Sequence, residues 1–68
     1  MDKIIEAINK RFGADTSGRF NPFPTENGYV EILGQNGDFT LREKDTVHGD
    51  TDYYIIKYTK DGVEFVLI

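Results

Sequence analysis

Two Asx-Gly dipeptides, Asn36-Gly37 and Asp61-Gly62, each sit between stretches whose apolar side chains recur at every second position. Asx-Gly is the strongest short hairpin signal, because both central residues of a type I′ turn need positive φ, which Asn, Asp and Gly adopt at little cost. A chain with two such signals after Tyr29 is committed to antiparallel sheet over that stretch. In the first hairpin, a two-residue loop at Asn36-Gly37 puts Gln35 opposite Asp38, Ile32 opposite Leu41 and Glu31 opposite Arg42. An apolar pair then occupies one face and an opposite-charge pair the other. In the second, a loop at Asp61-Gly62 pairs Tyr58 with Phe65, Lys57 with Val66 and Ile56 with Leu67. Tyr54, Ile56, Tyr58, Val63, Phe65 and Leu67 then make a core face. Tyr53, Ile55, Lys57, Thr59, Glu64, Val66 and Ile68 make an outer face that is only half polar.

Ahead of the strands the period is helical. Met1, Ile5, Ile8 and Phe12 recur at four, three and four residues, and Ile4 widens the stripe. Lys10 and Arg11 suit the negative end of the helix dipole, and Gly13 suits a left-handed C-cap. The segment 13–28 cannot continue the helix, since Pro22 and Pro24 push their predecessors toward extended geometry. It is expected to be an irregular crossover anchored by Phe20 and Phe23. A connection of that length points to function or to a short strand hidden within it. The expected fold is therefore α+β, one domain: helix 2–12, crossover 13–28, hairpin 29–44, polar link 45–52 and hairpin 53–68. The N-terminal helix packs on one face of a four-stranded antiparallel meander, αββββ with two hairpins.

Composition excludes several classes of function. There is no cysteine, so no thiolate and no disulfide, which fits a reducing cytoplasm. No apolar run near the start is long enough for a signal peptide or a membrane span. One histidine, His48, and one serine, Ser17, give little material for a catalytic triad, and 68 residues give little volume for a substrate cleft. No catalytic residue is expected. Asp45, His48, Asp50 and Asp52 crowd into eight residues, but counting from Asp50 puts Ile55 and Asp61 where an EF-hand loop needs Gly and Glu. No metal site is expected, and without a phosphate-binding glycine motif no cofactor either.

Charge is more informative. Residues 26–52 hold seven carboxylates against Arg42 and Lys44, a net −5, whereas the rest of the chain is at +1. Such asymmetry argues against direct nucleic-acid binding and for encounter with a basic protein surface. Glu31, Asp38, Glu43, Asp45, Asp50 and Asp52 are the expected docking charges, with Tyr29 and Tyr53 as apolar anchors. In size and charge the chain is similar to the small acidic proteins with which phages and mobile elements inhibit host defence enzymes, anti-CRISPR proteins among them. No motif carries that likeness. It implies a non-enzymatic, nucleic-acid-mimicking inhibitor of a nucleic-acid-binding effector, acting in the cytoplasm of a host cell if the chain is phage-encoded. The alternative is a structural or assembly module that forms a homodimer or larger homo-oligomer through its outer sheet face or last strand, or an accessory subunit of a larger complex.

Overall fold

The computed structural model describes residues 2–36 and 38–68, with side chains for 3–34 and 39–68. Helix α1 (Asp2–Phe12) is followed by β1 (Phe23–Pro24), β2 (Gly28–Asn36), β3 (Asp38–Asp45), β4 (Asp50–Thr59) and β5 (Gly62–Leu67). The five strands form one antiparallel sheet in chain order. The α+β class holds, with one strand more than the four expected. Met1 and the geometry of the Asn36-Gly37 turn lie outside the described residues.

Helix α1 follows its stripe: Ile4, Ile5 and Ile8 are buried, and Gly13, at φ +67°, ends it with its N–H donating to the Asn9 carbonyl at 2.9 Å. The stripe lands on Phe23, Val30, Leu41, Tyr54 and Ile56, one residue from each of β1 and β2, one from β3 and two from β4. Phe12 closes the core edge-on between the rings of Tyr54 and Phe65, at centroid distances of 5.4 and 5.2 Å. An 11-residue helix covers about 16 Å, roughly half the length of β4. Tyr58 and Leu67 therefore share the core face by register yet stay exposed, at its far end and on its outermost strand.

Several local expectations are refined or corrected. The crossover hides a strand: Phe23 and Pro24 pair with Val30 and Tyr29 along the edge of β2. Proline is tolerated there because an edge strand has one side free of ladder bonds. Phe23 is 2% exposed and anchors the crossover as expected, but Phe20 is 80% exposed. Phe20 lies in the bend 20–22 that precedes β1, outside the strand that seats Phe23 in the core. At the tip of the first hairpin, Glu31, Ile32 and Leu33 pair with Arg42, Leu41 and Thr40 as expected, but the register then shifts and Asp38 stands opposite Asn36, not Gln35. Gly34 lies inside the shift, where a residue without a side chain favours a bulge.

The second hairpin is displaced by two residues. Thr59 pairs with Gly62, so Lys60-Asp61 forms the loop, and Ile56 faces Phe65 while Lys57 faces Glu64. A two-residue slip preserves every side chain's face. It replaces a Lys57–Val66 mismatch by residues of opposite charge, Lys57 and Glu64, facing each other in register beside an Ile55–Val66 apolar pair. Finally, β3 and β4 run to Asp45 and Asp50, so the polar link shrinks to the four residues 46–49.

Candidate functional site

The four-residue link is a turn built by its first residue. Asp45 Oδ1 accepts from the N–H groups of Val47 and His48 at 3.0 and 2.9 Å, and its Oδ2 lies 2.8 Å from His48 Nδ1. Gly49, at φ +78°, closes the turn by donating its N–H to the Asp45 carbonyl at 2.8 Å. The amide donors hold the Asp45 carboxyl below its ordinary value, and the His48 ring lowers it further. In return the hydrogen bond and charge of Asp45, then the charge of Asp50, raise His48. The turn is pinned to the chain before β2: Thr46 donates its N–H and its hydroxyl to the Asn27 carbonyl at 2.9 and 3.0 Å. Gly28 lies under this closure, where a Cβ would collide with the Lys44 carbonyl.

The same turn sets the register of the carboxylates. Asp45 stands directly opposite Asp50, and Glu43 directly opposite Asp52. All four fall on the helix-facing side of the sheet by strand parity, beyond the end of the helix. Tyr54, the next residue inward on that face, donates its hydroxyl to Glu43 Oε1 at 3.3 Å. Burial raises its phenol, and Glu43 and Asp52 raise it further. Beside them a hollow of about 210 Å³ opens between Phe12 and the sheet end, with Glu26, Asn27, Glu43 and Asp45 on its wall.

The fold thus gathers Glu43, Asp45, Asp50 and Asp52. Glu31, Tyr29 and Tyr53 lie on the opposite face of the sheet by register. There Glu31 is ion-paired with Arg42, Lys44 Nζ donates to Thr51 Oγ1 at 2.9 Å, and Tyr29 and Tyr53 stand opposite Lys44 and Arg42 from β2 and β4. Asp38 sits at the other end of β3, and its side chain lies outside the described residues. Glu26, Phe12 and the Tyr54 phenol border the acidic group; by sequence pattern Phe12 and Tyr54 belong to the core and none of the three to this site. The signal for Tyr54 is its even spacing from Asp52 and Asp50, which puts all three on one face.

Among the described residues, no three Asp, Glu or His side chains are placed to share a metal ion, and no helix is long and apolar enough to cross a membrane. The chain matches no protein-family model, no curated protein and no solved structure.

Proposed function

We propose that this chain is a non-enzymatic, cytoplasmic inhibitor that docks the acidic end of its sheet on a basic, nucleic-acid-binding surface of a target protein. The observation that supports this most is the pairing of Asp45 with Asp50 and of Glu43 with Asp52 in two successive rungs of β3 and β4. Like charges directly opposite each other destabilise a sheet; Asp45 builds the turn and Glu43 accepts from the Tyr54 hydroxyl, but neither contact calls for a second carboxylate opposite it at Asp50 or Asp52. Two rungs of paired carboxylates, about 7 Å apart along the strands, form a compact anionic array. A groove lined with Lys and Arg to hold phosphates accepts such an array for the same electrostatic reason. Tyr29 and Tyr53, on the other face, are anchors only for a partner that wraps around the sheet end, and the docking charge rests on Glu43, Asp45, Asp50 and Asp52.

The test is competition. The tagged chain is used to capture a partner from its host's lysate, and the partner's binding to labelled nucleic acid is measured against increasing chain. Displacement that weakens steeply between low and high salt is expected, since exposed charges are screened within about 10 Å at 0.1 M. Asp50→Lys with Asp52→Lys should abolish it. Asp45 is left intact because it builds the turn. Displacement that survives the double substitution overturns the reading. Self-association that is insensitive to salt and lost in Ile68→Lys would establish the homo-oligomer instead.

A further inference from the structure

The two ends of the chain meet along β5. Ile68 donates its N–H to the Tyr53 carbonyl at 3.0 Å, which continues the β4–β5 ladder by one hydrogen-bonded pair. Hydrogen-bonded and non-hydrogen-bonded pairs alternate in an antiparallel ladder, so Val66, Glu64 and Gly62 also bond to β4. Val63, Phe65 and Leu67 therefore turn their N–H and C=O groups away from β4, toward the sheet's outer edge. Among the described residues no strand lies beyond it.

The side chains of Val63 and Phe65 face the helix, and with Ala7 they floor an open groove of about 400 Å³ between α1 and β5. Lys10 and Arg11 rim that groove, and none of its lining residues is acidic. Glu64 is on the other face of the sheet by strand parity, and Glu6 lies a turn back along the helix. An edge with free main-chain groups, an apolar trough beside it and two cations over the trough together define one kind of occupant.

We propose that the α1–β5 groove binds an extended acidic segment of a partner protein by strand addition. The segment's main chain pairs with Val63, Phe65 and Leu67, two of its alternate side chains enter the trough over Ala7, Val63 and Phe65, and a carboxylate on the same side meets Lys10 and Arg11. A second copy of this chain fits less well. Antiparallel pairing of β5 with itself places a two-fold axis perpendicular to the sheet, which brings both helices to one seam and sets Lys10 and Arg11 of one copy toward those of the other. This surface is opposite in sign to the acidic sheet end, and the inference does not depend on the reading of that end.

The probe is an acetylated, amidated peptide, Val-Thr-Val-Thr-Glu-Thr, titrated into the isotope-labelled protein and followed by NMR. Saturable shifts should be confined to residues bordering the groove. Exchange of the Val63, Phe65 and Leu67 amides should slow on binding, while Glu64 and Val66, already bonded to β4, change little. Lys10→Glu with Arg11→Glu should weaken binding roughly tenfold, as should Glu→Lys in the peptide. Combining the two reversals should restore most of the affinity. The peptide-side change needs no altered protein, so it stands even if the double variant folds poorly. No saturable shift at about 1 mM peptide overturns the proposal. So does protection of the even-numbered amides, an absence of charge-swap rescue, or a dimer in sedimentation that excludes the peptide.

Discussion

The two long edges of the sheet are finished in opposite ways. Along β2, the pair Phe23–Pro24 adds a short strand, and the Asn21 side chain extends it: its Nδ2 donates to the Ile32 carbonyl at 2.6 Å and its Oδ1 accepts from the Ile32 N–H at 2.8 Å. One amide side chain thus satisfies both backbone groups of a strand residue. Along β5 nothing comparable occurs among the described residues, and Glu64 is the one charged side chain in the strand. Open edges invite pairing, and natural sheets blunt them by covering, charging or bending. Here one edge is covered and the other is left open.

Substitutions in and beside β2 should have the largest effect. Gly28→Ala forces a Cβ onto the Lys44 carbonyl, with the Thr46 amide nitrogen 3.1 Å away, so backbone rather than a flexible side chain must move. A loss of about 3 kcal/mol is expected. That is a large share of the ~5 kcal/mol typical for a domain of this size. Urea unfolding measures it, and an unchanged midpoint would show that β2 does not approach the β3 main chain this closely at Gly28. Next comes Asn21→Ala, which removes both bonds to Ile32 from an exposed site where water replaces them in part. About 1 kcal/mol should be lost. The Ile32 amide should exchange faster, which makes the covered edge resemble the open one.

How far the sequence reveals these edges depends on whether the signal is local. Helix α1 and its Gly13 cap follow from spacing and from a residue that suits positive φ, both of which act within a few residues. Strand faces follow from parity, which is why the two-residue slip of β5 leaves every face assignment intact. The slip itself is tertiary: Asp61-Gly62 advertises a turn, but the seat of Phe12 between the rings of Tyr54 and Phe65 is reached one pleat away. A side-chain amide acting as a strand residue has no periodic signature, so Asn21 and the two-residue β1 are hidden. At the acidic end, residue types and clustering are visible in the sequence. The opposition of Asp45 to Asp50 depends on the four-residue turn, whose glycine at 49 and capping Asp45 are recognisable once the strands are known to reach it.

Smaller effects distinguish the middle of the sheet from its edges. Asp52→Lys turns a repulsive rung with Glu43 into an attractive one and should stabilise the chain by ~0.2–1 kcal/mol. Gain of stability with loss of docking, measured on one sample by thermal melting and by the competition assay, is the signature of a charge kept for binding. Destabilisation by Asp52→Lys would remove the main support for the acidic end as a docking site. On the open side, Ile68→Lys alters an exposed residue beyond β5 and should change stability by less than ~0.5 kcal/mol.

The smallest expected effect is the titration of the β3–β4 turn, which should leave both edges unmoved. His48 is raised from 6.5 by Asp45 and then by Asp50, so its contribution to stability is fully present below 6.5 and is lost as pH rises through the raised value. Asp45 is lowered from 3.8 chiefly by the His48 amide, so its contribution is present above 3.8 and is lost as pH falls through the lowered value. The pair is therefore most stabilising between those two limits. Because both groups are solvent-exposed, thermal melts should move by only ~1–2 °C across the upper limit. The sharper readout is the NMR titration of the imidazole. Asp45→Asn keeps an oxygen for the turn amides and removes the charge, so His48 should fall back toward 6.5, with a lesser fall in Asp50→Asn. Equal falls in both would mean that the imidazole responds to the acidic end as a whole and not to its hydrogen bond with Asp45. Protection factors at Ile32 and Val66, one on each edge, should stay flat through the same titration, because the turn is joined to neither edge by the groups that titrate.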